Sequence, residues 1–411
     1  MTAVRDPCHD PVMTTAIEPV ELTGAFDPTS AEYLADPYTY LARLRAHGPC
    51  VVDRERDLWY LVGFDAVDAG LSRIVRGHHR GPDRHVHFPA NPFAADGPGH
   101  TEPRRIIAPM FSNKAVQQFR DRAQEVVDAA LAAAVADGGE LRVVDTIGFL
   151  LPYTLTCDVL GIPDVDNRDE LRAWTWQSLE LIDAFLTPEQ MQEYLGSAGL
   201  LAQHLHGVIE WKRHHLADDL LSLIIRTADA GEVMRPEQVV PYVHTLYLAG
   251  MHTTVNQTAL SLMALMRHRD QWDLLRAQPD LLPNAIEELL RYESTAQYMK
   301  RTAEDDVDLG GGLTIPTGSE VVCWIASADR DEARWGETAD TLDLTRADAK
   351  QHIAFGKGPH VCVGSWLARL ELQVVVESIV TRFPDTTMPD QDLVWESNFI
   401  RGPEELVLQL A

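Results

Sequence analysis

The sequence predicts a mainly α-helical protein with small β-sheets at one side. Three observations point there. Apolar residues recur at three- and four-residue spacing over long stretches. Strand-like runs are few and short. The regular strand–helix alternation that a TIM barrel or doubly wound sheet requires is absent.

The elements follow in chain order. Residues 1–24 carry charges and prolines without an apolar core, so they read as a flexible tail and not as a signal peptide. Residues 25–411 show no linker and no internal repeat, and read as one domain. A helical stretch is expected near 31–46, followed by a strand pair at Cys50–Val52 and Leu58–Val62. Val116, Phe119, Ala123, Val126, Ala130 and Ala134 share one helix face, and Gly138 and Gly139 end that helix. Further helices are expected near 166–184, 189–215, 272–278 and 283–293. A helix from Pro236 to His268 is apolar almost all round, and 1.5 Å per residue makes it about 50 Å long. Such a helix suits the interior of a protein. Leu313–Ile315, Val321–Ile325 and Leu406–Leu410 are expected to form a second small sheet, and a helix runs on from Ser365.

Composition narrows the function. Lys and Arg number 35 against 62 Asp and Glu, a net charge of −27. That balance disfavours nonspecific binding to nucleic acid and to anionic membranes. No run of about 20 apolar residues occurs, so no membrane span is expected. The cysteines are Cys8, Cys50, Cys157, Cys323 and Cys362, an odd number at wide spacing with no CxxC pair. They suggest neither a disulfide framework nor a zinc site, and a reducing cytoplasm suits them best.

The stretch from Phe355 to Gly364 reads FGKGPHVCVG. An isolated cysteine is most often a small buried hydrophobe. Here glycines at 356, 358 and 364 let backbone pass close to a flat ligand and adopt positive φ. Cys362 stands just ahead of a helix N-terminus, where a thiolate is favoured.

These ten residues resemble the haem-binding loop of the cytochrome P-450 family, FGxGxHxCxG. The resemblance implies haem b, held between the long central helix and the helix after the cysteine, with Cys362 as the iron's thiolate ligand and Phe355, His360 and Gly364 around it. Thiolate ligation pushes electron density toward oxygen and favours O–O cleavage. Glu288-Leu289-Leu290-Arg291 resembles the family's ExxR signature. Its implied role is structural: Glu288 and Arg291 would lock the segment around residues 329–331 and Arg346 to the core. His100-Thr101-Glu102-Pro103-Arg104-Arg105 resembles the HTxxRR segment, which gives His100 and Arg104 to the haem propionates, joined by Arg301 and His360. Ala249-Gly250-Met251-His252-Thr253-Thr254 resembles the oxygen-binding motif AGx[D/E]TT. Thr253 would donate a hydrogen bond to the activated oxygen, with Thr254 beside it, and a kink at Ala249–Gly250 would make room.

One position departs from the family. His252 stands where a proton-relaying acid is usual. Either His252 relays protons in its place and a monooxygenase inserts oxygen, or substrate radicals couple or cyclise without oxygen insertion. A non-catalytic haem sensor is the alternative of another class, disfavoured because a sensor needs no distal relay. The resemblance places the substrate pocket among Phe88, Phe93, Trp174, Met251, Gln297, Tyr298, Phe399 and Ile400, suited to an aromatic or indole-bearing natural product. With no flavin or iron–sulfur segment legible, electrons are expected from a separate ferredoxin and ferredoxin reductase, with O2 as oxidant. A peroxide-driven enzyme is the lesser alternative. Arg104, Arg105, Lys114, Lys357 and Arg369 form a candidate basic patch for the ferredoxin.

Overall fold

The computed structural model describes residues 20–22, 26–74, 95–163, 167–231, 233–310 and 312–411. Its first element corrects the expected tail: β1 (Val20–Glu21) runs parallel to β2 (Cys50–Asp53), so residues 20 and 21 belong to a sheet. The helix expected near 31–46 is two, α1 (Ala31–Ala35) and α2 (Pro37–Arg45). The break is local chemistry. Asp36 caps the second helix through the Thr39 N–H, and Pro37 occupies its first turn.

β3 (Leu58–Leu61) pairs antiparallel with β2, as expected. Then come α3 (Phe64–Arg73), α4 (Pro98–Ile107), α5 (Asn113–Val116) and α6 (Arg120–Ala136). A 3-10 turn at Gln117–Phe119 separates the last two, and Gly138 and Gly139, both at positive φ, end α6. β4 (Glu140–Arg142) leads to α7 (Phe149–Leu160), α8 (Arg168–Glu180), α9 (Pro188–Arg213) and α10 (Leu220–Ala230). A capping box between Thr187 and Gln190 starts α9.

The long central helix is α11 (Val239–Arg267), 29 residues or about 44 Å. It passes through the largest apolar cluster and packs against α7, α8, α9 and α16 (Ser365–Arg382). Between them lie α12 (Arg269–Ala277), α13 (Leu282–Tyr292), α14 (Ile325–Ala328) and α15 (Glu332–Trp335). Among the described residues no helix is long and apolar enough to cross a membrane.

The expected second sheet does not form. β7 (Leu313–Ile315) pairs with β6 (Val307–Gly310). β8 (Glu320–Cys323) joins β3 and β5 (Met299–Thr302) in a five-stranded sheet ordered β1-β2-β3-β8-β5. β9 (Val407–Gln409) pairs with β4. The partners β4, β5 and β6 are short and carry polar residues, so their sequences have no strand periodicity to read.

A buried ion cluster fixes the segment that leads to the cysteine loop. Glu288 and Arg291 on α13 are fully buried and doubly hydrogen bonded, Arg291 Nε to Glu288 Oε2 at 2.7 Å and Nη2 to Oε1 at 2.8 Å. Arg346 Nε adds bonds of 3.1 Å to both carboxylate oxygens. The guanidinium of Arg291 also donates to the carbonyls of Asp329 and Ala339, at 2.7 and 2.8 Å. Glu288→Ala leaves two buried cations uncompensated. A loss of about 3–5 kcal/mol in urea unfolding is expected; a loss under about 1 kcal/mol would mean that water reaches the cluster.

Candidate active site

Every cysteine among the described residues is buried except Cys362, which is exposed. Its surroundings are nonetheless protein on most sides, because burial is the leading influence on the thiol and pushes its pKa up. Three groups oppose that: the Gly364 N–H, then the charges of Arg104 and Arg369.

The loop is set by its glycines and its start. Gly356 and Gly358 have φ of +74° and +70°. A Cβ on Gly358 would stand 2.8 Å from the Ser72 Cα on α3, so only glycine fits. The Cys362 N–H donates to the Phe355 carbonyl at 2.9 Å, and Gly356 N–H to Ile353 at 2.8 Å. Gly364 differs from expectation. Its φ is −82°, and a Cβ there would make an ordinary 3.9 Å contact with Cys362 Sγ. What it offers the sulfur is its N–H. Upstream, the Asp329 carboxylate, pushed up to about 6 by burial, accepts the Ile353 N–H at 2.9 Å. The ion cluster on α13 therefore reaches the cysteine loop through Asp329.

The expected propionate partners occupy distinct settings. His100, buried on α4, stacks on His360 with ring centroids 4.1 Å apart. His360 Nε2 bonds Asp96 Oδ1 at 2.8 Å, a partner with no sequence signal. Arg104 donates to the Val361 carbonyl, and its charge is felt by both Cys362 and Tyr242 of α11. Arg301 is 5% exposed, and among the described residues its Nε has no hydrogen-bond partner. Burial lowers its pKa. A buried guanidinium with an open donor is what an anionic carboxylate of a haem would satisfy. Among the described residues no group of three or more His, Cys, Asp or Glu could hold a bare metal ion. The donor set thus fits an iron that brings its own macrocycle and takes one sulfur from the protein.

On α11 the motif stretch is the opening. Ala249 is exposed, and Gly250 and Thr253 are half-buried, in a helix whose flanking residues Leu246–Leu248 and Thr254–Met266 are buried. Thr253 Oγ1 donates to the Ala249 carbonyl at 3.0 Å. Its proton is committed there, so the hydroxyl presents lone pairs, and the expected donor role requires it to rotate. Gly250 has a packing reason: a Cβ would stand 2.6 Å from Thr156 Oγ1 of α7. Thr254 is buried.

His252 is not placed as the expected proton relay. Its Nε2 donates to the Arg172 carbonyl of α8 at 3.1 Å, and its ring packs on Trp176 with centroids 4.8 Å apart. Burial lowers its pKa to about 4, so it is neutral near pH 7. It fastens α8 to α11.

Most of the expected pocket wall is sealed. Met251, Gln297, Tyr298, Phe399 and Ile400 are each 0–1% exposed. Tyr298 lies between Trp324 and Phe399, at 4.7 and 5.2 Å, and donates to the Asp183 carboxylate. Aromatic side chains close-packed on one another have no face left for a ligand. Trp174 is half-buried against the main core. Phe88 and Phe93 lie outside the described residues. Within the 170–190 region and the Ser294–Met299 stretch, Trp176, Ile182, Phe185 and Met299 are half-buried apolar side chains packed against the second cluster.

The basic patch also shrinks. Arg369 is bidentate to Glu287 at 2.7 and 2.9 Å, and Lys357 pairs with Asp68 at 3.1 Å. Arg105 and Lys114 stay exposed, as do apolar Val361 and Trp366, 39% and 44% exposed.

Known proteins match this arrangement. The Cytochrome P450 family model matches residues 78–408. The cytochrome P450 monooxygenase PikC of Streptomyces venezuelae is 34% identical, over 96% of this chain and 95% of that protein. The 6-deoxyerythronolide B hydroxylase of Saccharopolyspora erythraea is 30% identical, over 95% of this chain and 100% of that protein. Among solved structures, CYP109E1 of Bacillus megaterium in complex with testosterone aligns with a TM-score of 0.85 at 26% identity, covering 93% of this chain and 100% of that one.

The neutral, buried His252 makes a testable claim. Its folded pKa of about 4 lies below the unfolded 6.5. Its contribution is present above pH 6.5 and lost as pH falls toward 4, by about 3 kcal/mol at most. His244, also lowered to about 4 by burial, acts in the same window. His252→Asn should flatten the fall in urea stability between pH 6.5 and 4, with His244→Asn as the comparison. An unchanged slope would mean that His252 titrates normally.

Proposed function

The chain belongs to the cytochrome P450 family and is a haem-iron oxidoreductase of the monooxygenase kind, and on that premise we propose that it inserts one oxygen atom into a bulky, mainly apolar natural product. Residues 25–411, with the strand at residues 20–21, act as one catalytic domain. The observation that carries this reading is the opening of α11 at Ala249–Thr253, in a helix packed on the one that follows the exposed Cys362. Overall, substrate C–H, O2, two electrons and two protons give C–OH and water.

Haem b, bound through the Cys362 thiolate, supplies the oxygen activation. The protein's residues do the rest. His100, Arg104, His360 and Arg301 would hold the propionates, with Arg301 Nε gaining an acceptor that the described residues do not supply. Phe355 and Gly364 shape the sulfur's surroundings, and the Gly364 N–H tempers its charge. Exposed Ala249 would leave room for oxygen, while Gly250 lets Thr156 of α7 approach the helix. The Thr253 hydroxyl, anchored on Ala249, holds a proton-carrying water through its lone pairs. His252 keeps the α8 roof in place.

The substrate's chemistry is read from the wall and from the relatives. Trp176, Ile182, Phe185 and Met299 offer apolar surface with two aromatic rings, suited to stacking on an aromatic or indole group as well as to aliphatic contact. The relatives named above include a hydroxylase of 6-deoxyerythronolide B, which argues for a large secondary-metabolite scaffold. Electrons come from a ferredoxin served by a reductase, docking at exposed Arg105 and Lys114.

The reduced carbon monoxide complex should absorb at the wavelength for which the family is named, and Cys362→Ala should abolish that band; a band that survives would overturn the ligand assignment. With surrogate ferredoxin and reductase, a product heavier by one oxygen is expected from macrolactone or indole-bearing substrates. Loss of two hydrogens, or a dimer without added oxygen, would establish radical coupling instead. Thr253→Ala should lower product per electron pair by about a hundredfold, the low end of the usual range for one proton-transfer group. Unchanged coupling would remove Thr253 from proton delivery.

A further inference from the structure

The outer face of α9 carries a pattern that the active site does not use. From Tyr194 to Ile209 this surface helix contains no Asp, Glu, Lys or Arg. The chain as a whole is 24% charged and bears a net charge of −27. Leu200 is 46% exposed and Trp211 is 42% exposed. Gly196, Gly199 and Gly207 are exposed in the same helix, and a Cβ on any of them would meet nothing within 4 Å. Glycine is the poorest helix former after proline. No packing inside the chain calls for it at these three positions.

At 3.6 residues per turn, Gly196, Leu200, Gln203, Gly207 and Trp211 fall on one stripe about 80° wide and about 22 Å long. The stripe is its own complement. Set antiparallel to a second α9 across a two-fold axis between Gln203 and His204, Leu200 falls opposite Gly207. In the same register Trp211 falls opposite Gly196, and acidic Glu193 falls opposite His214. Symmetry makes each pairing twice.

We propose that α9 is the contact of a two-fold homodimer, with Leu200 and Trp211 of each copy seated over Gly207 and Gly196 of the other. A second copy fits better than a different protein, because one register sets both large apolar residues of the stripe, Leu200 and Trp211, over its two glycines, Gly207 and Gly196, on both sides, with Gln203 and His204 meeting at the axis. The charge argues the same way. Two copies at −27 repel over most of their surfaces, and this uncharged window is where they can touch. One helix from each copy buries on the order of 1,000 Å² in total, near the lower limit for a specific interface. The dimer is therefore in reversible exchange with monomer.

The test is sedimentation equilibrium of the haem-loaded full chain from about 1 to about 200 µM, the range of a reversible dimer. The wild type should pass from monomer to dimer. Leu200→Glu and Gly207→Leu should each weaken the dimer at least tenfold while keeping the carbon monoxide spectrum. The double variant Leu200→Gly with Gly207→Leu exchanges knob and hole, and should recover dimerisation relative to either single change. Gln203→Cys, beside the axis, should form an inter-chain disulfide that the wild type does not. A wild type that stays monomeric throughout, a dimer indifferent to Leu200→Glu and Gly207→Leu, or a double variant without recovery would each overturn the proposal.

Discussion

The structure depends on three charges buried together. Glu288, Arg291 and Arg346 sit where isolated ions would be costly. They are tolerated because nearly every donor has an acceptor. Beyond the carboxylate, Arg291 reaches three backbone carbonyls, those of Asp329, Ala339 and Thr341, and Arg346 reaches Thr338 and Thr341. Those carbonyls belong to irregular chain, which has no ladder of its own to satisfy them. The cluster thus does for residues 329–346 what hydrogen bonding does inside a helix. Asp329 then holds Ile353, Ile353 holds Gly356, and Phe355 holds Cys362. A sulfur that must sit within a fraction of an ångström is placed by a chain of bonds starting about 75 residues earlier.

A second fastening joins the same helix to the one that carries the cysteine's far side. Glu287, beside Glu288, is pushed up by burial, but hydrogen bonds from His352 and Arg369 outweigh it and hold the carboxyl near 2. Arg369 belongs to α16, and its guanidinium lies 4.5 Å from the Phe355 ring. Two adjacent glutamates on α13 therefore grip the approach to the loop and its exit. The central helix follows the same logic. Each polar side chain from 252 to 257 with a resolved bond goes to a different element: His252 to α8, Thr253 to its own preceding turn, Asn256 to the Ile400 carbonyl, and Gln257 to Glu293 and Thr295. One buried helix so registers the roof, the opening and two loops against one another.

These dependencies explain what the sequence showed. Helices were legible because their apolar periodicity is local, and α9, α11 and α13 fall within a few residues of expectation. The strand partners were not, because β4, β5 and β6 are defined by what they pair with. At the site, the glycines at 356 and 358 announce positive φ. Gly250, read as room for oxygen, turns out to be where Thr156 of α7 approaches, a contact no local pattern reveals. The setting of His252 is hidden from sequence for a related reason. Spacing put it in a motif, but its role follows from the Arg172 carbonyl some 80 residues away. An aromatic residue near a cavity and one packed beside it look alike in sequence. Tyr298 and Phe399 are fully packed, whereas Trp176 and Phe185 retain surface.

Charge sorts the outer surface as firmly as burial sorts the interior. A net charge of −27 repels an acidic partner from almost every approach. Near the cysteine loop much of the apparent positive charge is already spent inward, Arg369 on Glu287 and Lys357 on Asp68. What remains of the candidate patch is exposed Arg105 and Lys114, a target with low charge. Such a surface favours brief contact and release over tight binding, as suits the transfer of single electrons. The α9 face has no net charge to steer anything, and holds only what matches its shape. One protein thus presents two surfaces that escape its own repulsion, one by leaving a little positive charge in place and one by removing charge altogether.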